Sequence, residues 1–395
     1  MHLTKFNDDR VIKIAGQFIF AAFLIMIMSS MYGNTIAALT KRGMLPGFKF
    51  LSLAAGIDIG EHLISFNNSS SNLRAIVVGL LNTLSISILA IVFSTALGLF
   101  IGLCRLSKNW LVKNIALVYI EVIRNIPLLV LLLFWYRAVF MGLPHIKEAI
   151  TIGKFQTSDG FTGARLFFSN RGMVLAWPTI GTGWSSYIYI IIGAIAISVI
   201  FGIYLNYRGK ITGRKPMTLV WSFLLFSILC FIGWLLTPEA PLVMEYPQLK
   251  GFNTTGGLSI SSEWGSLFSG LILYTSAFIA EAIRAGIQGV DKRQVEAARS
   301  LGLNSFQTTR LIVLPQALRI TIPPLTSIYL GVAKNTSLGV AIGFPDLFSV
   351  VGTLINQTGR VLELILVVMV IYLTLSLSTS LIMNIYNRRI QLEEK

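Results

Sequence analysis

Charged residues are scarce in this 395-residue chain. Asp, Glu, Lys and Arg make up 12% of it, about half the roughly 25% of an ordinary soluble domain. That deficit excludes a soluble globular enzyme, a disordered chain and a fibrous repeat. Cysteine is almost absent: Cys104 and Cys230 both lie inside apolar stretches, which argues against a disulfide framework. The three histidines, His2, His62 and His145, stand far apart, and no Cys/His spacing suggests a metal site. There is no 20–50-residue repeat, and no low-complexity tract beyond the short polar stretch 67–72. A basic face for nucleic acid needs an exposed soluble segment, and none is long enough, so the net charge of +15 has to be explained otherwise.

What is plentiful is apolar surface: 54% of residues are hydrophobic and the mean hydropathy is +0.73. A spanning helix needs about 20 apolar residues. Five segments meet this easily, at 14–35, 75–104, 186–206, 217–236 and 364–387. The first has a basic flank (Lys5, Arg10, Lys13) but no cleavage pattern, so it reads as a retained anchor. Three further spans carry charge or proline. Span 115–141 contains Glu121, Arg124 and Arg137; 264–288 contains Glu281 and Arg284; 320–344 contains Pro323, Pro324 and Lys334. Such groups either line a protein-enclosed cavity or snorkel from helix ends, and the two readings weigh about equally for Arg124, Glu281 and Arg284. The expected fold is an all-α integral membrane protein of about eight helices.

Basic residues set the orientation. With the N-terminus inside, the cytoplasmic segments hold 19 Lys and Arg and the much longer outside segments hold 11. The positive-inside rule therefore favours N-in, C-in, anchored by Arg208, Lys210, Arg214 and Lys215 between two clear spans. The outside stretches 151–185 and 250–263, rich in Gly, Ser, Thr and Asn, read as solvated connectors.

The longest cytoplasmic segment, 290–320, is the most ordered in pattern. Asp291 with Gln294 predicts a capped helix over 292–301, ended by Gly302 in a left-handed conformation. Asn304 with Gln307 predicts a second short helix that stops near Leu314–Pro315. Val295, Ala298 and Leu301 share one face, Ala297 and Ala298 permit close approach, and Glu296 offers a carboxylate at the rim. A short exposed helix of this kind is either a helix-in-groove ligand or an interfacial helix on lipid. Its small apolar face favours the former.

Glu296-Ala297-Ala298, three residues, Gly302, nine residues, Ile312-Val313-Leu314-Pro315 is the EAA-x3-G-x9-I-x-LP pattern. It is similar to that of the inner-membrane permease subunits of bacterial ABC importers. The segments Gly79–Leu84, Glu121–Leu129, Tyr274–Glu281 with Arg284–Gln288, and Lys334–Leu338 resemble the polar amino-acid permease subfamily. Asn335 stands where members often carry Asp. The resemblance covers roughly 75–140 and 264–390, and the enlarged layout resembles the permeases of general L-amino-acid uptake.

The resemblance implies a type I importer core of five helices with extra spans. Its parts are an anchor helix and outside loop (1–74), core segments 75–141 and 264–395, and an insertion, 142–263. The two helices of the insertion are continuous, uncharged and rich in aromatic and β-branched residues, and are therefore expected outside the bundle of 75–104, 264–288 and 320–344. It implies that Glu296, Ala297, Ala298, Gly302, Leu314 and Pro315 couple the chain to a separate ATP-binding subunit. This chain carries no phosphate-cradling G-x-x-x-x-G-K-[ST] loop, so ATP and Mg belong to that partner and no cofactor is expected here. The other implied partners are a second permease subunit, homologous or identical, a periplasmic amino-acid-binding protein and membrane lipid; nucleic acid is not expected. Glu281, Arg284, Lys334, Asn335, Thr336 and Ser337 are the candidates to line a path for a zwitterionic solute, whose dehydrated ends need partners. The Ser and Thr among them equally suit helix packing, and Pro323-Pro324 is expected to break the seventh helix.

Other functions fit less well. A membrane-embedded enzyme needs a Ser/His pair, paired Asp or a metal cluster within the spans, and none is visible. A channel or receptor has no need of a capped cytoplasmic helix with the EAA pattern. A permease for another small polar solute remains the main alternative.

Overall fold

The structure is a computed structural model describing residues 9–41, 47–156, 160–213, 217–251 and 253–391. Arg214 and Lys215 of the basic loop, and His2 and Lys5, lie outside the described residues. The chain divides into two compact units: residues 1–87, 329–340 and 345–395, and residues 88–328 with 341–344.

The first unit contains α1 (Asp9–Lys41), the first half of α2 (Asn72–Arg105), α11 (Leu347–Thr358) and α12 (Val361–Gln391). No side chain on α1 from Lys13 to Asn34 is covered by the rest of the chain, so its apolar surface is left for lipid or another subunit. The core of this unit forms where the outer loop meets three helices: Phe50 and Ile57 pack with Ala75 and Val78 of α2, Leu347 and Leu354 of α11, and Leu364 of α12.

The second unit holds the remainder of α2, α3 (Trp110–Asn125), α4 (Leu128–Phe134), α5 (Trp184–Thr212), α6 (Thr218–Leu236), α7 (Ser262–Gln288), α8 (Lys292–Ser300), α9 (Ser305–Thr308) and most of α10 (Leu314–Asn335). Glycine brings α2 against α7: a Cβ on Gly98 would lie 2.7 Å from the Ile279 side chain, and one on Gly102 3.0 Å from the Ala280 carbonyl. α5 and α6 pack chiefly on each other, and their apolar surfaces are otherwise largely uncovered.

Four expectations change. First, the span expected over 115–141 is two helices, α3 and α4 with its wide-turn extension to Phe140, bent by 104°. Pro127 disfavours helical backbone at Ile126, which is extended (φ −90°, ψ 128°). Second, Pro323 and Pro324 do not break the seventh helix, because α10 continues through both. The Thr321 and Thr326 hydroxyls donate to the carbonyls of Ala317 and Ile322 at 2.7 and 3.0 Å, adding local bonds on either side of the missing amides. The regular helix ends at Asn335 instead, and the chain tightens into a 3-10 turn over Thr336–Ile342. Third, nothing stops at Leu314–Pro315: a wide turn over Thr309–Val313 leads straight into α10, with Pro315 in its first turn.

Fourth, the outside stretches read as solvated connectors carry short strands, while the chain as a whole is the mostly helical membrane protein expected. Strands β1 (Ile150–Ile152), β2 (Phe155–Gln156), β3 (Thr162–Gly163), β4 (Leu166–Ser169), β5 (Gly172–Leu175), β6 (Trp177–Ile180), β7 (Leu242–Glu245), β8 (Gln248–Lys250), β9 (Asn253–Thr255) and β10 (Leu258–Ser261) pair antiparallel. They form sheets of order β1-β4-β5-β10 and β2-β3-β8-β9 and a ribbon β6-β7. Burial alternates along β4 and β5, where Phe167 and Val174 join Ala164 in a small core. These strands are two to four residues long, below the length at which alternation can be read from sequence.

Candidate functional site: a coupling helix and a polar turn after the seventh span

The loop between α7 and α10 is held by local caps. The Asp291 side chain accepts from the Arg293 amide at 2.9 Å and pairs with its guanidinium, which holds the exposed carboxyl below its ordinary range. Gln294 does not complete the box: its side-chain oxygen accepts from the Gln316 amide instead. The second box does form, with Asn304 and Gln307 bonding each other's backbone amides at 2.9 and 3.0 Å. Gly302 is left-handed at φ +79° with open space where a Cβ would stand, so its backbone and not its packing requires glycine.

The exposed face of α8 differs from the expected one. Ala298 is buried and Val295 half-buried, whereas Leu301 is 83% exposed. Towards solvent the helix therefore presents Glu296, Ala297, Ser300, Leu301 and Gly302, with Phe306 beyond them, 71% exposed. Leu314 is exposed and Pro315 half-buried at the foot of α10. On its inner side α8 borders a mainly apolar cavity of about 680 Å³ lined by Leu99 and Leu103 of α2, Ile287 of α7, Arg299 of α8 and Ala317 and Thr321 of α10. Close contact at Gly286, where a Cβ would meet the Thr321 hydroxyl and the Ala317 carbonyl, ties α7 to α10 just behind this loop.

The intramembrane charges fall into separate groups. In the second unit Arg284 forks onto Glu281, Nε to Oε2 at 2.8 Å and Nη2 to Oε1 at 2.5 Å, and also reaches Gln288. These two residues neutralise each other on consecutive turns of α7. Arg124 stacks over the Phe278 ring at 5.3 Å. In the first unit Lys334 is exposed at the end of α10, followed by half-buried Asn335 and Ser337 and fully buried Thr336. The Ser337 hydroxyl donates to the Lys334 carbonyl at 2.7 Å, closing the turn.

Sequence reasoning missed Asp346, which sits wholly buried between the seventh and eighth spans as the N-cap of α11. Its signal was slight: one acid in an otherwise apolar stretch, three residues before Ser349.

A family described as the binding-protein-dependent transport system inner membrane component matches residues 198–392. A putative amino-acid ABC transporter permease, YhdX of Escherichia coli K12, is 44% identical over 94% of this chain and 92% of its own. The general L-amino acid transport system permease AapQ of Rhizobium johnstonii is 38% identical over 98% and 94%. The glutamate/glutamine/aspartate/asparagine permease BztB of Rhodobacter capsulatus is 36% identical over 99% and 95%. Such identity over nearly whole chains joins what the geometry already displays: among the described residues, seven long apolar helices and one sharply bent pair, with a capped, solvent-exposed EAA turn, in a sequence that has no nucleotide-binding loop. The chain therefore belongs to the inner-membrane permease subunits of ABC transporters, multi-pass proteins that work with an ATP-hydrolysing partner and are not themselves enzymes.

Proposed function

We propose that this chain carries amino acids, over a broad L-amino-acid range, through the bacterial inner membrane. It takes them from a periplasmic binding protein and pairs with a second permease chain. The α8 turn is the observation that carries the coupling half of this reading. Glu296, Ala297, Leu301 and Gly302 form a small exposed surface on a rigidly capped helix, the shape a groove on an ATPase can grip. The substrate half is supported by the names of the full-length relatives, two of which specify amino acids of several kinds.

Lys334 and the turn Asn335–Ser337 are the part of the chain we assign to the solute. An exposed ammonium beside hydroxyl and amide groups suits a carboxylate that has lost its water. Glu281 and Arg284, already satisfied by each other, serve this path less directly by keeping α7 neutral at depth. ATP and Mg bind the partner subunit.

The test is uptake by proteoliposomes holding this chain with its ATPase, second permease and binding protein. ATP-dependent, vanadate-sensitive accumulation of several amino acids is expected. Accumulation of a non-amino-acid solute alone would replace the substrate assignment, and ATP-independent flux would remove the importer reading altogether.

A further inference from the structure

Asp346 is buried beyond solvent reach, yet it is not a packing residue by chemistry. One carboxylate oxygen, Oδ1, accepts from the Ser349 amide at 2.9 Å, capping α11. The other, Oδ2, accepts from the Tyr372 hydroxyl of α12 at 3.3 Å. The same tyrosine hydroxyl also meets the side chains of Thr336, in the turn after α10, and Thr83, on α2. Thr83 accepts in turn from the Leu347 amide at 3.0 Å, and Asn82 donates to the carbonyls of Pro345 and Glu61 at 2.9 and 2.8 Å. Gly79 lets the backbones meet: a Cβ there would lie 3.0 Å from Leu347 Cα and 3.1 Å from the Asp346 carbonyl. The Gly79–Leu84 and Lys334–Leu338 segments, which sequence treats as separate signatures, thus converge on one buried carboxyl that neither contains.

We propose that Asp346 is a positioning residue for transport, holding the Lys334–Ser337 turn against the start of α2 through Tyr372. The proposal rests on the assignment of that turn to the solute. Asp346 touches no solute itself. An end-of-helix cap alone needs one oxygen, and serine or asparagine would supply it as well; the second oxygen, spent on a tyrosine 26 residues on in the eighth span, is what couples the elements. The network is fully satisfied at its centre, and such networks fix one arrangement where apolar packing tolerates several.

The groups facing the carboxyl are the Phe348 and Ser349 amides and the Tyr372 hydroxyl. Of the charged and titratable residues on the elements around it, Arg360 and Glu363 at the start of α12 pair with each other at 3.2 Å, Lys334 of α10, Lys49, Asp58 and His62 of the outer loop and Arg74 of α2 are exposed, and Glu61 contributes its carbonyl to Asn82. With desolvation the dominant influence, burial pushes the Asp346 carboxyl up to about 6. Above that pH the ionised carboxylate accepts from Tyr372. Below it the proton weakens that bond, and the turn loosens.

The experiment compares wild type with Asp346→Asn and Tyr372→Phe in the complete reconstituted complex. Uptake and binding-protein-stimulated ATP hydrolysis are measured per assembled complex from pH 5 to 8. Asparagine keeps the cap and the shape, and phenylalanine removes one oxygen, so both variants should insert and assemble. In wild type both activities should fall as pH drops through about 6. In both variants maximal uptake should be at least fivefold lower, with unchanged KM for the delivered solute and no pH step. Wild-type turnover and an unaltered pH profile in the assembled variants would overturn the proposal, as would a loss confined to the amount of complex. Failure of wild type to move any amino acid would instead overturn the substrate assignment, and the pH profile of stimulated ATP hydrolysis would still decide the role of Asp346.

Discussion

Gly302 is the residue whose identity the backbone dictates most plainly. Its φ of +79° lies where a β-branched side chain is strained by roughly 1–2 kcal/mol, and no neighbour would be struck by the added atoms. Gly302→Val should therefore leave the chain inserted while tilting α8 and lowering uptake at least tenfold, with ATP hydrolysis no longer stimulated by loaded binding protein. Normal uptake at equal membrane abundance would remove α8 from the coupling role. Lys334 invites a different substitution. It stands fifteen residues beyond Arg319, about 20 Å up a regular helix. A bare ammonium at such depth costs a few kcal/mol in lipid. Lys334→Met should abolish uptake while basal ATP hydrolysis and thermal stability persist; unchanged uptake would mark it as a snorkelling lysine. Single residues were legible in sequence where the local chain dictates them, as at Gly302 and the Asn304–Gln307 box. They were illegible where distant segments meet: nothing near Asp346 announces Tyr372.

At the level of helices and strands, the sequence spoke through long apolar runs and through caps, and misled where proline was involved. Pro127 breaks a helix because its ring disfavours helical backbone at the preceding Ile126, which is extended. Pro323 and Pro324 do not, because α10 is pinned beside them: a Cβ on Gly286 would stand 1.9 Å from Thr321 Oγ1 and 2.9 Å from the Ala317 carbonyl. Tertiary contact overrides the local rule there. That contact is testable. Gly286→Val has no room without separating α7 from α10, so it should cost on the order of 1–3 kcal/mol. A lower melting temperature in detergent is the expected reading, alongside a weaker hold of the α8 turn. Gly331→Val on α10, where nothing lies within 4 Å, serves as the control and should melt close to wild type. The β-strands of the insertion escaped sequence reading for a different reason. Their pairing partners come from both sides of α5 and α6, as in β5 with β10. Only the fold reveals that the two outside stretches belong to one another.

For the molecule as a whole, parity decides orientation. Three spanning helices, α5, α6 and α7, separate the strands from the α8 turn, so Ile152 and Leu301 must lie on opposite sides of the membrane. Two more, α10 and α12, return the C-terminus to the side of Leu301. The N-terminus is another matter: it shares that side only if the bent α3–α4 pair crosses, and takes the opposite side if the pair turns back within the bilayer. The excess of Lys and Arg in the segments assigned to the cytoplasm, 19 against 11, favours the crossing. Both native cysteines are free, so replacing Cys104 and Cys230 by serine gives a silent background. In it, Leu301→Cys should resist a membrane-impermeant maleimide in intact spheroplasts and react in inverted vesicles, and Ile152→Cys should do the reverse. A cysteine joined to the N-terminus should follow Leu301→Cys. If it follows Ile152→Cys instead, α3 and α4 form a re-entrant pair and the chain spans seven times, with its ends on opposite faces. Labelling of Leu301→Cys from outside would be graver, since it would place the α8 turn where no ATP-hydrolysing partner can reach it.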